Sequence, residues 1–146
     1  MAIYIEANVH YDKIMENGRQ KRVSEPYLVD ALSCTEAEAC VTEEVTPYID
    51  GEFTVSAIKK TNIAEVFRNE GDWWYRVKIN ILTIDEKTGA EKKNPFYYLV
   101  QANDFEEALS NFNKEMKNTI TDYEITAIIE TKIMDVFDAK QYGLQN

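Results

Sequence analysis

Apolar and polar residues alternate along the start of the chain. Ile3, Ile5, Ala7, Val9 and Tyr11 interleave with Tyr4, Glu6, Asn8 and His10, the period of two that marks a half-buried strand. Tyr75, Val77, Ile79 and Ile81 repeat the pattern against Arg76, Lys78 and Asn80. Turn residues follow each run, Asn17-Gly18 and Thr88-Gly89, where glycine supplies the positive φ of a tight hairpin. Second strands are then predicted through Tyr27, Val29 and Ala31 and through Tyr98, Val100 and Ala102. Pro26 and Pro95 lie near their starts, where a missing N–H suits a strand entry or a sheet edge.

After each hairpin the period lengthens. Ser33 with Glu36, and Asp104 with Glu107, form capping boxes or the acidic variant of one. Ala37, Val41, Val45 and Tyr48 make one helical stripe; Ala108, Phe112 and Met116 make the other, widened by Phe105 and Leu109. A long third strand follows in each half, with bends expected near Lys59-Lys60 and near Glu130. Arg68 to Asp72 is the one linker, and it reads as a hairpin between the halves. Asp138 to Asn146 has no periodicity and is expected to be a loose tail.

The two halves match residue for residue. Tyr27-Leu-Val-Asp-Ala31 returns as Tyr98-Leu-Val-Gln-Ala102, and Glu36-Ala37 as Glu107-Ala108, both 71 positions on. Phe53 to Phe67 returns as Tyr123 to Phe137, 70 positions on and identical at 6 of 15 sites, where ordinary residue usage would give roughly one. The first strands align less clearly, at an offset of 72. The prediction is an α+β domain of tandem duplicated ββαβ units, about residues 3–67 and 73–137. It has some six strands in a mostly antiparallel sheet, two helices on one face, and a pseudo-twofold axis.

Composition narrows the function. At 146 residues, 45% apolar and 12% aromatic, the chain is sized for one globular domain. Its formal charge of −10 repels phosphate backbones at long range, so nucleic acid would have to meet a local basic patch. No stretch has the roughly 18 apolar residues of a membrane span, and Met1 to Glu6 lacks the features of a signal peptide. Cys34 and Cys40, about 9 Å apart along one helix, are expected as reduced thiols in a cytoplasm.

Catalytic constellations are lacking. His10 is the sole histidine and falls on the polar face of the first strand, with nothing to pair it with a serine or cysteine nucleophile. Neither a zinc-spaced cluster nor a glycine-rich phosphate loop occurs. Glu36, Glu38, Glu43 and Glu44 crowd one helix and Glu106, Glu107 and Glu115 the other, as on a solvated face. A non-enzymatic protein without cofactor or metal is expected.

The candidate ligand-binding residues obey the repeat. Lys21-Arg22 follow the first turn, extended by Arg19, and Lys92-Lys93 follow the second at the same offset of 71. They suit an anion; lysines on an edge strand also block sheet-to-sheet aggregation. Trp73-Trp74-Tyr75 opens the second half, and strand alternation puts one tryptophan in the core and the other outside. An outward tryptophan offers a stacking platform for a base or a contact in a homo-oligomer. Tyr27, Tyr98, Phe53 and Phe67 fall at core parity.

Glu25-Pro-Tyr-Leu-Val-Asp-Ala-Leu-Ser-Cys-Thr-Glu-Ala-Glu-Ala39, Asp50-Gly-Glu-Phe-Thr-Val55 and Ile133-Met-Asp-Val-Phe137 together resemble a family of domains of unknown function found in Bacteroidetes bacteria and their phages. The resemblance implies a bacterial or phage cytoplasmic protein and supplies no catalytic residues. Two functions follow from the residues themselves. One is a small binding protein for a nucleotide-like ligand or single-stranded nucleic acid, held by Lys21, Arg22, Lys92, Lys93, Trp73 and Trp74. The other is a protein–protein interaction module using an acidic helix face or a sheet edge.

Overall fold

The structure, a computed structural model, describes residues 2–139. In chain order the elements are β1 (Tyr4–Ile14), β2 (Gln20–Asp30), α1 (Cys34–Val45), a 3-10 turn (Thr46–Tyr48), β3 (Phe53–Lys60), β4 (Ile63–Phe67), β5 (Trp73–Ile84), β6 (Glu91–Ala102), α2 (Phe105–Glu115), β7 (Tyr123–Glu130) and β8 (Val136–Asp138). The protein is a mixed α+β fold with two helices and two four-stranded sheets, ordered β3-β1-β2-β8 and β4-β6-β5-β7. Two compact units result, one reaching to Thr61 and resuming at Lys132, the other spanning Asn62–Thr131.

The alternation predicted for the first strands is what builds each core. Ile5, Ala7 and Val9 are fully buried beneath Ala37, Val41 and Val45 of α1. Val77 and Ile79 are fully buried against Phe112 of α2, Met116 at its C-cap and Val100 of β6. Both helix starts are capped as expected. Ser33 Oγ accepts the Glu36 N–H at 3.1 Å, and Asp104 Oδ1 accepts the Glu107 N–H at 2.8 Å. The stripes are narrower than predicted. Phe105 is 53% exposed, and Tyr48 is 86% exposed because Pro47 ends the helical period and the chain tightens into its 3-10 turn.

One sheet of six strands was expected; the described residues make eight strands in two sheets, with one helix to each. The difference arises in the third strands, which do not run on. Two residues of β3, Ala57 and Ile58, stand against Ala7 alone, with Ala57 at φ 52, which makes a bulge that turns the strand. Thr61 then closes the pairing, its N–H and Oγ1 both donating to Tyr4 O at 2.9 and 2.8 Å. Thr131 does the same to Trp74 O, also at 2.9 and 2.8 Å. Beyond each threonine the chain leaves the sheet it has built and enters the other one as a parallel strand. β4 pairs with β6, Val66 against Leu99 and Phe67 against Val100; β8 pairs with β2, Val136 against Leu28 and Phe137 against Val29.

Pairing also corrects the alignment of the halves. Ile5 faces Val29 and Lys60, whereas Tyr75 faces Val100 and Glu130. The first strands therefore correspond at an offset of 70, not 72. Rings recur on the same scheme: Tyr27 stacks on Phe137 at 5.4 Å, and Tyr98 on Phe67 at 5.6 Å.

The linker is not a hairpin either. β4 and β5 are antiparallel but separated by β6, so the chain must cross the end of that strand. The Gln101 side chain holds the crossing, donating to Gly71 O at 2.9 Å and accepting the Asn69 N–H at 3.2 Å. Asp138, assigned to a loose tail, ends β8, and the buried Ala139 donates its N–H to Asp30 O at 3.0 Å. The rest of that expected tail lies outside the described residues.

Candidate functional site

The first unit carries two features that its core does not require. The first is a ribbon. β3 pairs with β1 only as far as Tyr11 against Phe53, while β1 and β2 continue through Asp12–Arg22, Lys13–Lys21 and Ile14–Gln20. Three further rungs and a turn thus project about 10 Å past the sheet at 3.3 Å per residue. Gly18 at φ 80 and the Asn17 side chain, which accepts the Arg19 N–H at 3.0 Å, set the turn.

Directly opposed residues share a face, so Lys13 and Lys21 project together. Met15, whose N–H donates to Arg19 O at 2.8 Å, adds Arg19 to that face two rungs on. Three exposed cations therefore stand on the side of the ribbon that, further along β1, faces the helix. The other side holds Arg22, which pairs with Asp12 at 3.6 Å.

The second unit's hairpin is built differently. Lys92 faces Thr83, and Lys93 is tied to Glu124 at 3.1 Å. Asn80 and Lys93 both donate to the Glu124 carboxylate and hold it below the usual carboxylate range. Of the four predicted basic residues, Arg22 and Lys93 are thus in ion pairs, leaving Lys21 and Lys92 as the freer two. Trp74 is buried at 3% exposure and Trp73 is 51% exposed, as alternation required. Trp73 faces Ala102 at one end of the β5–β6 hairpin and Lys92 faces Thr83 near the other. Ten residues of strand, roughly 33 Å, separate them, so the tryptophan and the second basic pair do not meet.

Sequence reasoning missed Lys13. Its signal is register: the turn centred on Asn17-Gly18 dictates that Lys13 faces Lys21, a pairing invisible to a search for adjacent basic residues. Arg76 and Lys78 were assigned only to the polar face of β5; both lie over the Tyr97 ring, 5.7 and 5.9 Å from its centroid.

The second feature is a pocket of about 370 Å³ at the C-terminal end of α1. Tyr11, Tyr27, Tyr48 and Phe137 supply its rings, Val45, Ile49 and Met134 its apolar walls, and Glu25, Glu44 and Asp135 its carboxylates. It exists because α1 is slim there. In the second unit Phe112 packs among Phe67, Tyr98 and Tyr123 at 5.4–6.0 Å between centroids; at the matching helical positions α1 has Val41 for Phe112 and Val45 for Met116.

Burial, hydrogen bonding to Glu25 and the charge of Glu25 push the Tyr11 hydroxyl up to about 12. Burial, followed by the charges of Glu25, Tyr11 and Asp135, pushes Tyr27 up to about 12. Because both folded values lie above the unfolded value of 10.0, the neutral hydroxyls stabilise the fold fully below pH 10, and that contribution is lost as pH rises through about 12. The urea midpoint is expected to decline across that window, and less so for Tyr11→Phe with Tyr27→Phe. A midpoint with the same alkaline decline in that double variant would refute the assignment.

Other chemistry is sparse. His10 lies between Ser24 and Thr54 with no carboxylate directly opposite. Among the described residues no group of three or more His, Cys, Asp or Glu side chains is arranged to hold a metal ion. Cys34 and Cys40 are free thiols, and burial, with Glu44 next, pushes Cys40 up to about 12, which leaves it a poor nucleophile. No helix among the described residues is long and apolar enough to cross a membrane.

An α+β protein of two strand-sharing sheets, with a cationic ribbon and an aromatic, acidic pocket on the first, is the class that these features define. Residues 3–139 match the model of a domain of unknown function, DUF4494, and the chain belongs to that family. No curated protein and no solved structure matches it significantly.

Proposed function

We propose that the protein is a non-enzymatic binding protein that holds a phosphate-bearing ligand, a nucleotide or single-stranded nucleic acid, on the ribbon of its first unit. One observation carries this reading: Lys13 directly faces Lys21, with Arg19 beside them, beyond the reach of the third strand. Like charges opposed across a ladder destabilise it. Protecting a sheet edge needs lysines, but not two that face each other. A bound phosphate offsets the repulsion, and the overall charge of −10 confines polyanion binding to this place. The site is therefore centred on Lys13, Arg19 and Lys21, with Arg22 behind them.

Under the same proposal the chain is a tandem duplication with a pseudo-twofold relation between its halves, supported by strand registers that recur at offsets of 70 and 71. The two halves have diverged in what they bind. The protein works in a cytoplasm, where its thiols stay reduced, as the Bacteroidetes or phage product that its sequence resembles.

The test is fluorescence anisotropy with labelled oligo-thymidine, and competition by mononucleotides, at two salt concentrations. Three phosphate contacts predict a log–log salt slope of about −2. The triple variant Lys13→Glu, Arg19→Glu, Lys21→Glu should lose about a hundredfold in affinity, at roughly 1 kcal/mol per contact. Binding that ignores salt, or a triple variant as tight as the parent, would overturn the proposal. Lys92→Glu with Lys93→Glu separates the arrangements: a one-ribbon site predicts little change, and a symmetric two-ribbon site predicts loss.

A further inference from the structure

We infer that the pocket at the end of α1 is a binding site for an organic cation, an alkylammonium or guanidinium group. The inference is independent of the ribbon and its phosphate ligand.

Three features of the pocket converge on that chemistry. Its 370 Å³ accommodates the end of a lysine or arginine side chain. Its lining includes three tyrosine rings, whose faces attract cations once water is excluded; the second unit already uses Tyr97 this way toward Arg76 and Lys78. Finally, Glu25, Glu44 and Asp135 contribute three carboxylates, and none of the lining residues carries a positive charge. Glu25 and Glu44 are half-buried with no cation among the lining residues; such carboxylates are costly without a counter-charge, and a cationic ligand removes the cost. The Glu25 carboxylate lies beside the Tyr11 hydroxyl and helps to keep it neutral.

The second unit shows that the fold has another solution. There Phe112 and Met116 take the matching helical positions and are packed into the apolar core. In the first unit the smaller Val45 stands at the Met116 position and lines the pocket beside its carboxylates. An anion is excluded by charge. A bare metal ion is disfavoured because the three carboxylates are not gathered as a metal-holding group.

The experiment uses the full chain and watches the Met134 methyl resonance, which lines the pocket, during titration with acetyl-arginine amide, acetyl-lysine amide and tetramethylammonium. A short arginine-containing peptide is titrated in parallel. A saturable shift is expected, with affinity reduced by about tenfold in Glu25→Gln, which keeps an oxygen for the Tyr11 hydroxyl. Tyr48→Ala changes an exposed side chain and should weaken binding without altering stability. Val45→Phe should fill the space and abolish the shift. If Val45→Phe does not fold, the other two variants decide. A peptide at least about tenfold tighter than the free amides assigns the cation to a protein partner; equal affinities assign it to a small molecule. No saturation with any probe at millimolar concentration, or binding unchanged in Glu25→Gln and Tyr48→Ala, would overturn the inference. Neither outcome touches the oligonucleotide result.

Discussion

Replacing Phe112 by alanine is expected to cost about 3–5 kcal/mol, the range for a large aromatic removed from a close-packed core. Phe112 is fully buried and is the largest such side chain in the described structure. Its ring meets Phe67, Tyr98 and Tyr123, which come from three different strands. Truncation leaves a cavity walled by rigid rings on strands fixed by ladder hydrogen bonds, so little collapse is available to offset the loss. Chemical denaturation monitored by tryptophan fluorescence reads the change, because both tryptophans lie in the second unit. Val41→Ala at the matching position should cost far less, since fewer atoms are removed. A Phe112→Ala loss below about 1 kcal/mol would mean that the ring is not the keystone that its contacts indicate.

Gly71→Ala should cost about 3 kcal/mol, although it adds a single methyl. A Cβ at Gly71 would lie 2.6 Å from the carbonyl carbon of Ala102, 2.7 Å from its Cα and 2.8 Å from its nitrogen. All three are backbone atoms of β6, so no rotamer change relieves the clash. The crossing loop would have to lift and give up its bonds to Gln101 and its Asp72 N–H bond to Asn103 Oδ1 at 3.1 Å. Gly71 is needed for space rather than for an unusual φ. Thermal unfolding of the variant tests this, and a midpoint equal to the parent's would show that the loop crosses β6 with room to spare.

The parts of the fold legible in the sequence were those set by neighbours along the chain. Period-two alternation named Ile5, Ala7 and Val9 as core, Ser33 and Asp104 announced the helices, and parity separated Trp74 from Trp73. What was hidden depends on distant partners. Val66-Phe67 and Val136-Phe137 looked like the ends of long strands because a short apolar run reads alike in either sheet. Only Thr61 and Thr131, whose bonds close the third strands, reveal that the chain moves on. The cationic ribbon was half visible: Lys21 and Arg22 stood out as neighbours, while Lys13 needed the hairpin register. The pocket follows from side-chain volume missing at Val41 and Val45, a difference between the two helices that a search for shared features passes over.

The sharing of strands between the two sheets also bears on how the protein is made. Leu28, Val29 and Asp30 are synthesised early, but the strand that pairs with them, Val136–Asp138, is among the last parts of the described chain to be translated. Until it arrives, that stretch of β2 presents unpaired backbone groups beside apolar side chains, an open template for a neighbouring nascent chain. The second sheet is under no such delay, because β4 has already been made when its partner β6 emerges. Truncation upstream of Val136, or slow translation before it, should therefore expose the earlier-made sheet to aggregation while the later-made one closes normally.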